Sequence, residues 1–115
     1  MHELSIALSI VDGALEEAAR HGAGQVQAVH LRLGRLSGID KEALLFSYAI
    51  ASENTPLAKS RLVIEEVDVV ILCPSCRAER SVSSFPLLCC SECGSPGERV
   101  VRGNELEITA LEVAA

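Results

Sequence analysis

A chain of 115 residues, 49% hydrophobic and 23% charged, is long enough for a packed globular core and too apolar to remain disordered. A net charge of −6, the absence of any run of Lys or Arg, and only 3% aromatic residues leave little to grip phosphates or stack on bases, which argues against nucleic acid as a partner. No apolar run approaches the ~20 residues of a membrane span. The start Met1-His2-Glu3 also lacks the basic stretch and cleavage site of a secretory signal, so a soluble, cytoplasmic protein is expected.

Leu4, Leu8, Val11, Leu15 and Ala18 recur at helical spacing over residues 3–21, with Glu16, Glu17 and Arg20 on the opposite face. Gly22 and Gly24 stop this helix, and His21 suits the negative end of its dipole. Residues 26–33 alternate Val29, Leu31 and Leu33 against His30 and Arg32, the pattern of a strand with one buried face. Gly34 to Ile39 reads as a loop. A second helix from Asp40 to Ser52 turns Leu44, Leu45, Tyr48 and Ala49 inward, and Asn54-Thr55-Pro56 ends it. Its cap is either Asp40 or Ser37, the latter with Asp40 as capping-box partner.

Residues 61–72 form a β-branched, apolar segment whose alternation is broken by Glu65-Glu66, which predicts a bulge or a strand that turns partway. A loop-rich cysteine region follows over 73–103, and a last strand carries Leu106, Ile108, Leu111 and Val113. The order predicts an α+β fold, a small three-stranded sheet covered by two helices with an inserted four-cysteine arm. Residues 1–72, completed by strand 104–115, would form one domain, and residues 73–103 the inserted one.

Cys73, Cys76, Cys89, Cys90 and Cys93 are all the cysteines of the chain. An odd number without an export signal argues against disulfides. Cys73-Pro74-Ser75-Cys76 and Cys90-Ser91-Glu92-Cys93 are two C-x-x-C pairs. Each turn sets two sulfurs on one side of the chain, and two such turns supply the thiolate tetrahedron that suits Zn²⁺. Gly94 provides the left-handed residue such a turn needs after its last ligand. Iron and a redox dithiol are the rival readings. Neighbours in extended backbone point to opposite faces, so Cys89 and Cys90 do not both reach one metal. Cys90 completes the shorter spacing and leaves Cys89 as a small buried hydrophobe or an exchangeable thiol. The arm offers only Val82, Phe85, Leu87, Leu88, Val100 and Val101 as larger apolar groups besides its cysteines, so metal binding must supply folding free energy.

The N-terminus is a second candidate site. An α-amine, the amide nitrogen of residue 2 and the imidazole of His2 form two fused chelate rings, an arrangement that favours Ni²⁺ or Cu²⁺ in a square-planar field. The bulk of His2 resists removal of Met1, and Glu3 or another carboxylate completes the shell. The alternative is a solvated tail in which Glu3 simply favours the positive end of the first helix. His21 and His30 have no partner spacing that makes them ligands.

Four segments in order resemble the HypA/HybF family of hydrogenase nickel-incorporation proteins. They are Met1-His2-Glu3-Leu4-Ser5, Gly34-Arg35-Leu36-Ser37-Gly38-Ile39-Asp40, the paired C-x-x-C motifs, and Gly103-Asn104-Glu105-Leu106. The resemblance spans the whole chain and implies a nickel metallochaperone for [NiFe] hydrogenase. It implies Ni²⁺ as cargo at His2, with the Met1 amine, Glu3 and Asp40 as further ligands, and structural Zn²⁺ at Cys73, Cys76, Cys90 and Cys93. It implies as partners a HypB-type nickel GTPase and the hydrogenase large subunit or its maturation complex, with a homodimer as a further assembly. Some members place a histidine in the zinc arm that approaches nickel; this arm has none.

Two other functions compete: a zinc-ribbon adaptor without nickel transfer, and a thiol oxidoreductase working through Cys89 or a C-x-x-C pair. No Ser/His/Asp set or phosphate-cradling glycine loop occurs, so an enzyme is not expected. A chelator is expected to disorder the cysteine arm and leave the helix–sheet part folded. Hydrogen exchange read segment by segment tests this, and loss of protection throughout the chain at the same chelator concentration would contradict the two-part division.

Overall fold

The computed structural model describes residues 2–22, 24–83 and 86–114. The elements in chain order are helix α1 (Glu3–Arg20), strand β1 (Val26–Gly34), a short 3₁₀ turn (Arg35–Ser37), helix α2 (Lys41–Ser52) and strands β2 (Arg61–Val67), β3 (Val70–Cys73), β4 (Ala78–Ser81), β5 (Arg99–Arg102) and β6 (Leu106–Val113). They form two three-stranded sheets, ordered β2-β1-β6 and β4-β3-β5. The chain divides into two compact units, one of Met1–Arg32, Gly38–Glu65 and Leu106–Ala115, the other of Leu33–Ser37 and Glu66–Glu105.

In the first unit α1 packs against α2 and meets β6. The buried face of α1 is Ala7, Ile10, Val11, Ala14 and Ala18, whereas Leu4 and Leu8 are 45% and 48% exposed. The expected stripe is thus rotated: the leucines carry the larger apolar payload, but alanines let two helices approach closely. On α2, Leu44 and Tyr48 are buried as expected, while Ala49 is exposed and Ser47, Ala51 and Ser52 take the inward positions. The Tyr48 hydroxyl lies 2.6 Å from the Ser60 hydroxyl, which satisfies a polar group sunk into the core. Asp40, not Ser37, is the cap of α2, its Oδ1 accepting from the N–H groups of Glu42 at 2.9 Å and Ala43 at 3.3 Å.

The second unit departs most from the sequence reading. The apolar segment 61–72 is two strands in different sheets, and the break falls at Asp68-Val69 rather than at Glu65-Glu66. The cysteine region is loop-rich as expected, but two short strands frame it: β3 pairs antiparallel with both β4 and β5. Its core is Val69, Ile71, Cys73 and Cys90, with Leu36, Cys76, Val82, Leu88 and Val100 packed against it. Leu87 is 67% exposed, and Phe85 lies outside the described residues.

Two segments distant in sequence are joined by backbone in this unit. The N–H of Gly34 donates to Glu105 O at 2.8 Å and that of Leu36 to Gly103 O at 2.7 Å. A Cβ on Gly34 would stand 2.0 Å from the Gly103 carbonyl oxygen, so only glycine fits. The Gly34→Ala variant is therefore expected to lose about 3 kcal/mol of stability by overpacking. Urea unfolding checks this, and an unchanged midpoint would contradict it.

Candidate metal centre

Each C-x-x-C pair is shaped by the same local backbone. The N–H of Arg77 donates to Cys73 O at 2.8 Å and the N–H of Gly94 to Cys90 O at 2.9 Å, closing two tight turns. Arg77 (φ +56°) and Gly94 (φ +78°) are both left-handed, which places the residue after each second cysteine in the conformation expected at Gly94. Amide groups inside the turns point at sulfur, Cys76 N–H to Cys73 Sγ at 3.4 Å and Glu92 N–H to Cys90 Sγ at 3.3 Å. Such donors favour the thiolate over the thiol.

The two turns bring Cys73, Cys76, Cys90 and Cys93 together, their sulfurs all within 4.8 Å of one another. The shortest approaches run between the motifs, Cys73 to Cys93 at 3.5 Å and Cys76 to Cys90 at 3.9 Å. A tetrahedron with metal–sulfur bonds of about 2.3 Å has edges of about 3.8 Å. The sulfurs therefore already span a thiolate tetrahedron, and all five cysteines are free thiols rather than disulfides. Cys89 stands outside the four: its backbone bridges to Pro96, and its side chain is half-buried rather than buried as expected.

The electrostatics of the four thiols are uneven. The Ser95 hydroxyl and backbone N–H, followed by Cys73, hold Cys93 down at about 6. Arg80 pulls Cys76 down, but hydrogen bonding with Cys93 together with desolvation outweighs it, and this thiol is pushed up to about 11. Burial pushes Cys90 up, yet the backbone N–H groups of Cys93 and Glu92 prevail and its net shift is downward. Four sulfurs this close compete for charge, and a divalent cation at their centre resolves the competition. Arg80 and Ser95 were not foreseen as part of this site. Their orientation depends on strand β4 and the turn after Cys93, which the cysteine spacing alone does not reveal.

At the other candidate site, His2 is the exposed N-cap of α1 and its imidazole makes no capping hydrogen bond. The carbonyl of His2 accepts from the Ile6 N–H at 2.9 Å. Glu3 is held below the usual carboxylate range, first by its own backbone N–H and also by the backbone N–H of Asp40. The fold thus brings the first turn of α1 to the start of α2. Met1 lies outside the described residues. Among the described residues, the four cysteines are the only group of three or more His, Cys, Asp or Glu side chains that converge for a metal. His21 lies beside Glu17, and His30 pairs with Glu112.

Residues 1–113 match a family model described as hydrogenase/urease nickel incorporation, metallochaperone, HypA. The chain is 51% identical over 112 residues to the hydrogenase maturation factor HypA of Chloroflexus aurantiacus, covering 97% of this chain and 98% of that one. With HypA of Chlorobium limicola it shares 42% identity over 113 residues, 98% of this chain and 97% of that one. Its fold is similar to the solution structure of the Ni metallochaperone HypA from Helicobacter pylori, with a TM-score of 0.71 at 24% identity over 100% of this chain and 99% of the other.

The geometry separates two neighbours in sequence. Cys90→Ser is expected to weaken the sulfur-to-metal charge-transfer absorption of the Co²⁺-loaded protein by roughly a quarter, one thiolate of four being lost, whereas Cys89→Ser leaves it unchanged. Equal losses in the two variants would contradict the ligand assignment.

Proposed function

We propose the function from one premise: the chain belongs to the HypA family of hydrogenase maturation factors, whose members serve assembly and are not enzymes. On this reading the protein is a nickel carrier. It binds Ni²⁺ through the Met1 amine, the His2 amide and the His2 imidazole, with a carboxylate from Glu3 or Asp40 completing the shell. It holds Zn²⁺ at Cys73, Cys76, Cys90 and Cys93 for structure alone. The nickel is passed to the [NiFe] hydrogenase large subunit or its maturation complex in the cytoplasm, with a HypB-type GTPase as partner.

The observation that carries the nickel assignment is the start of α1. The first helical hydrogen bond uses the carbonyl of His2 and not its N–H. A metal that deprotonates this amide therefore costs the helix nothing. The imidazole is exposed and not engaged in the cap, and the ionised Glu3 carboxylate sits one residue on. Such a terminal site has few protein ligands, and protonation of the amine, amide and imidazole releases the ion. A site of this kind suits cargo, whereas four converging sulfurs, two of them buried, suit a resident metal. The sulfur spacing and the donors aimed at sulfur support zinc there.

The exposed side chains Leu4, Leu8, Asp12 and Glu16 recur every four residues along α1, an apolar and acidic stripe directly after the nickel ligands. We assign this stripe to the GTPase partner. The nickel site is tested by Ni²⁺ titration of the zinc-loaded protein, its His2→Ala variant and its Nα-acetylated form. Both changes remove a chelating nitrogen and are expected to weaken binding at least about 100-fold, the worth of ~2.7 kcal/mol. Retention of native affinity in either would contradict the terminal site.

A further inference from the structure

Zn²⁺ with four thiolates carries a net charge of −2, and a charge of this size in a largely apolar setting needs a counter-charge. Cys73 and Cys90 are only 0% and 1% exposed and belong to the apolar core with Val69 and Ile71, while Cys76 is half-buried and Cys93 exposed, so the uncompensated charge is felt on the inner side of the cluster. Backbone N–H groups supply dipoles at the sulfurs but no net charge. The question is which cation faces the cluster.

The unit has several arginines, and most are occupied elsewhere or turned outward. Arg35 pairs with Asp68 at 2.9 Å and Arg102 with Glu79 at 3.2 Å. Arg77 and Arg99 are exposed. Arg80 differs from these. It lies on β4 opposite Ile71 of the sulfur-bearing core, it is half-buried, and its Nε is buried with no hydrogen-bond partner. Its guanidinium is close enough to Cys76 and Cys90 to favour their charged forms, Cys76 above all. An arginine with a desolvated Nε in such a place is held by the charge at its tip.

We propose that Arg80 is the counter-cation of the four-cysteine metal centre, a positioning residue that donates to the Cys76 sulfur and offsets the charge of the metal–thiolate group. This rests on the assignment of Zn²⁺ to the four cysteines. Its consequence is tighter retention of the resident metal. With the Cys76 sulfur engaged by a donor, that thiolate is a weaker nucleophile toward protons, oxidants and competing metals, including the nickel carried by the same chain.

The test uses the full chain. Zn²⁺ affinity is measured by competition with a chromophoric chelator, and the sulfur-to-metal absorption is recorded with Co²⁺, for the native protein, Arg80→Gln, Arg80→Lys and Arg102→Gln. Loss of an outer-shell partner of a metal ligand is expected to weaken Zn²⁺ binding by about 10-fold or more in Arg80→Gln. The charge-transfer band should move to lower energy, because the freed sulfur donates more strongly. Arg80→Lys should recover part of the affinity, and Arg102→Gln, which removes equal charge on the same sheet, should match the native protein. Native affinity and band position in Arg80→Gln, or equal weakening in Arg102→Gln, would overturn the proposal. If Arg80→Gln fails to fold, Arg80→Met takes its place, and native affinity and band position in that variant overturn the proposal. Failure of the zinc assignment itself looks different, because then Cys76→Ser would bind Zn²⁺ as tightly as the native chain.

Discussion

Four sulfurs converging within 4.8 Å set the terms for the second unit of this protein. Three strands of four residues each cannot bury enough apolar surface to offset the entropy of ordering the chain, and two of the four core residues are themselves cysteines. On the proposed reading the thiols serve at once as packing and as ligands. Their separations already match a thiolate tetrahedron, and the turns that present them are fixed by backbone hydrogen bonds rather than by side-chain bulk. On the proposed reading, the metal replaces the hydrophobic core that so short a segment cannot build.

On the proposed reading, the contrast with the N-terminus explains how one chain can serve two metals. Four thiolates bind a soft or borderline ion and release it slowly, since every ligand must be protonated and a four-sulfur shell leaves no open position. In the proposed site, an amine, an amide and an imidazole would offer nitrogen ligands in a planar arrangement, and the exposure of His2 leaves solvent at hand to compete. Selectivity in this account comes from ligand type and geometry, not from overall affinity. The helix start matters because it holds residue 2 through its carbonyl and uses neither its N–H in the helical ladder nor its imidazole in the cap.

Much of this was legible in the sequence, and the parts that were not have physical causes. The C-x-x-C spacing singled out the four clustered cysteines, and alternation of side chains in extended backbone separated Cys90 from Cys89. Both helices and the strand at Val26–Gly34 followed from periodicity and punctuation. The buried face of α1 did not, because Leu4 and Leu8 outweigh Ala7 and Ala14 in any hydrophobic pattern, while close packing of two helices favours the smaller residues. The division of segment 61–72 between two sheets was only partly legible: the chain passes from one unit to the other between Glu65 and Glu66, where the alternation breaks, but β2 runs on to Val67 and the strand itself ends at Asp68-Val69. Arg80 could not be assigned a role until β4 gave its side chain a direction.

X-ray absorption at both metal edges of one sample, loaded with one equivalent each of Zn²⁺ and Ni²⁺, bears most directly on the central claim. The account predicts a zinc shell of four sulfurs at about 2.3 Å and a nickel shell of nitrogen and oxygen only. Sulfur in the nickel shell, or zinc bound by nitrogen and oxygen, would contradict it.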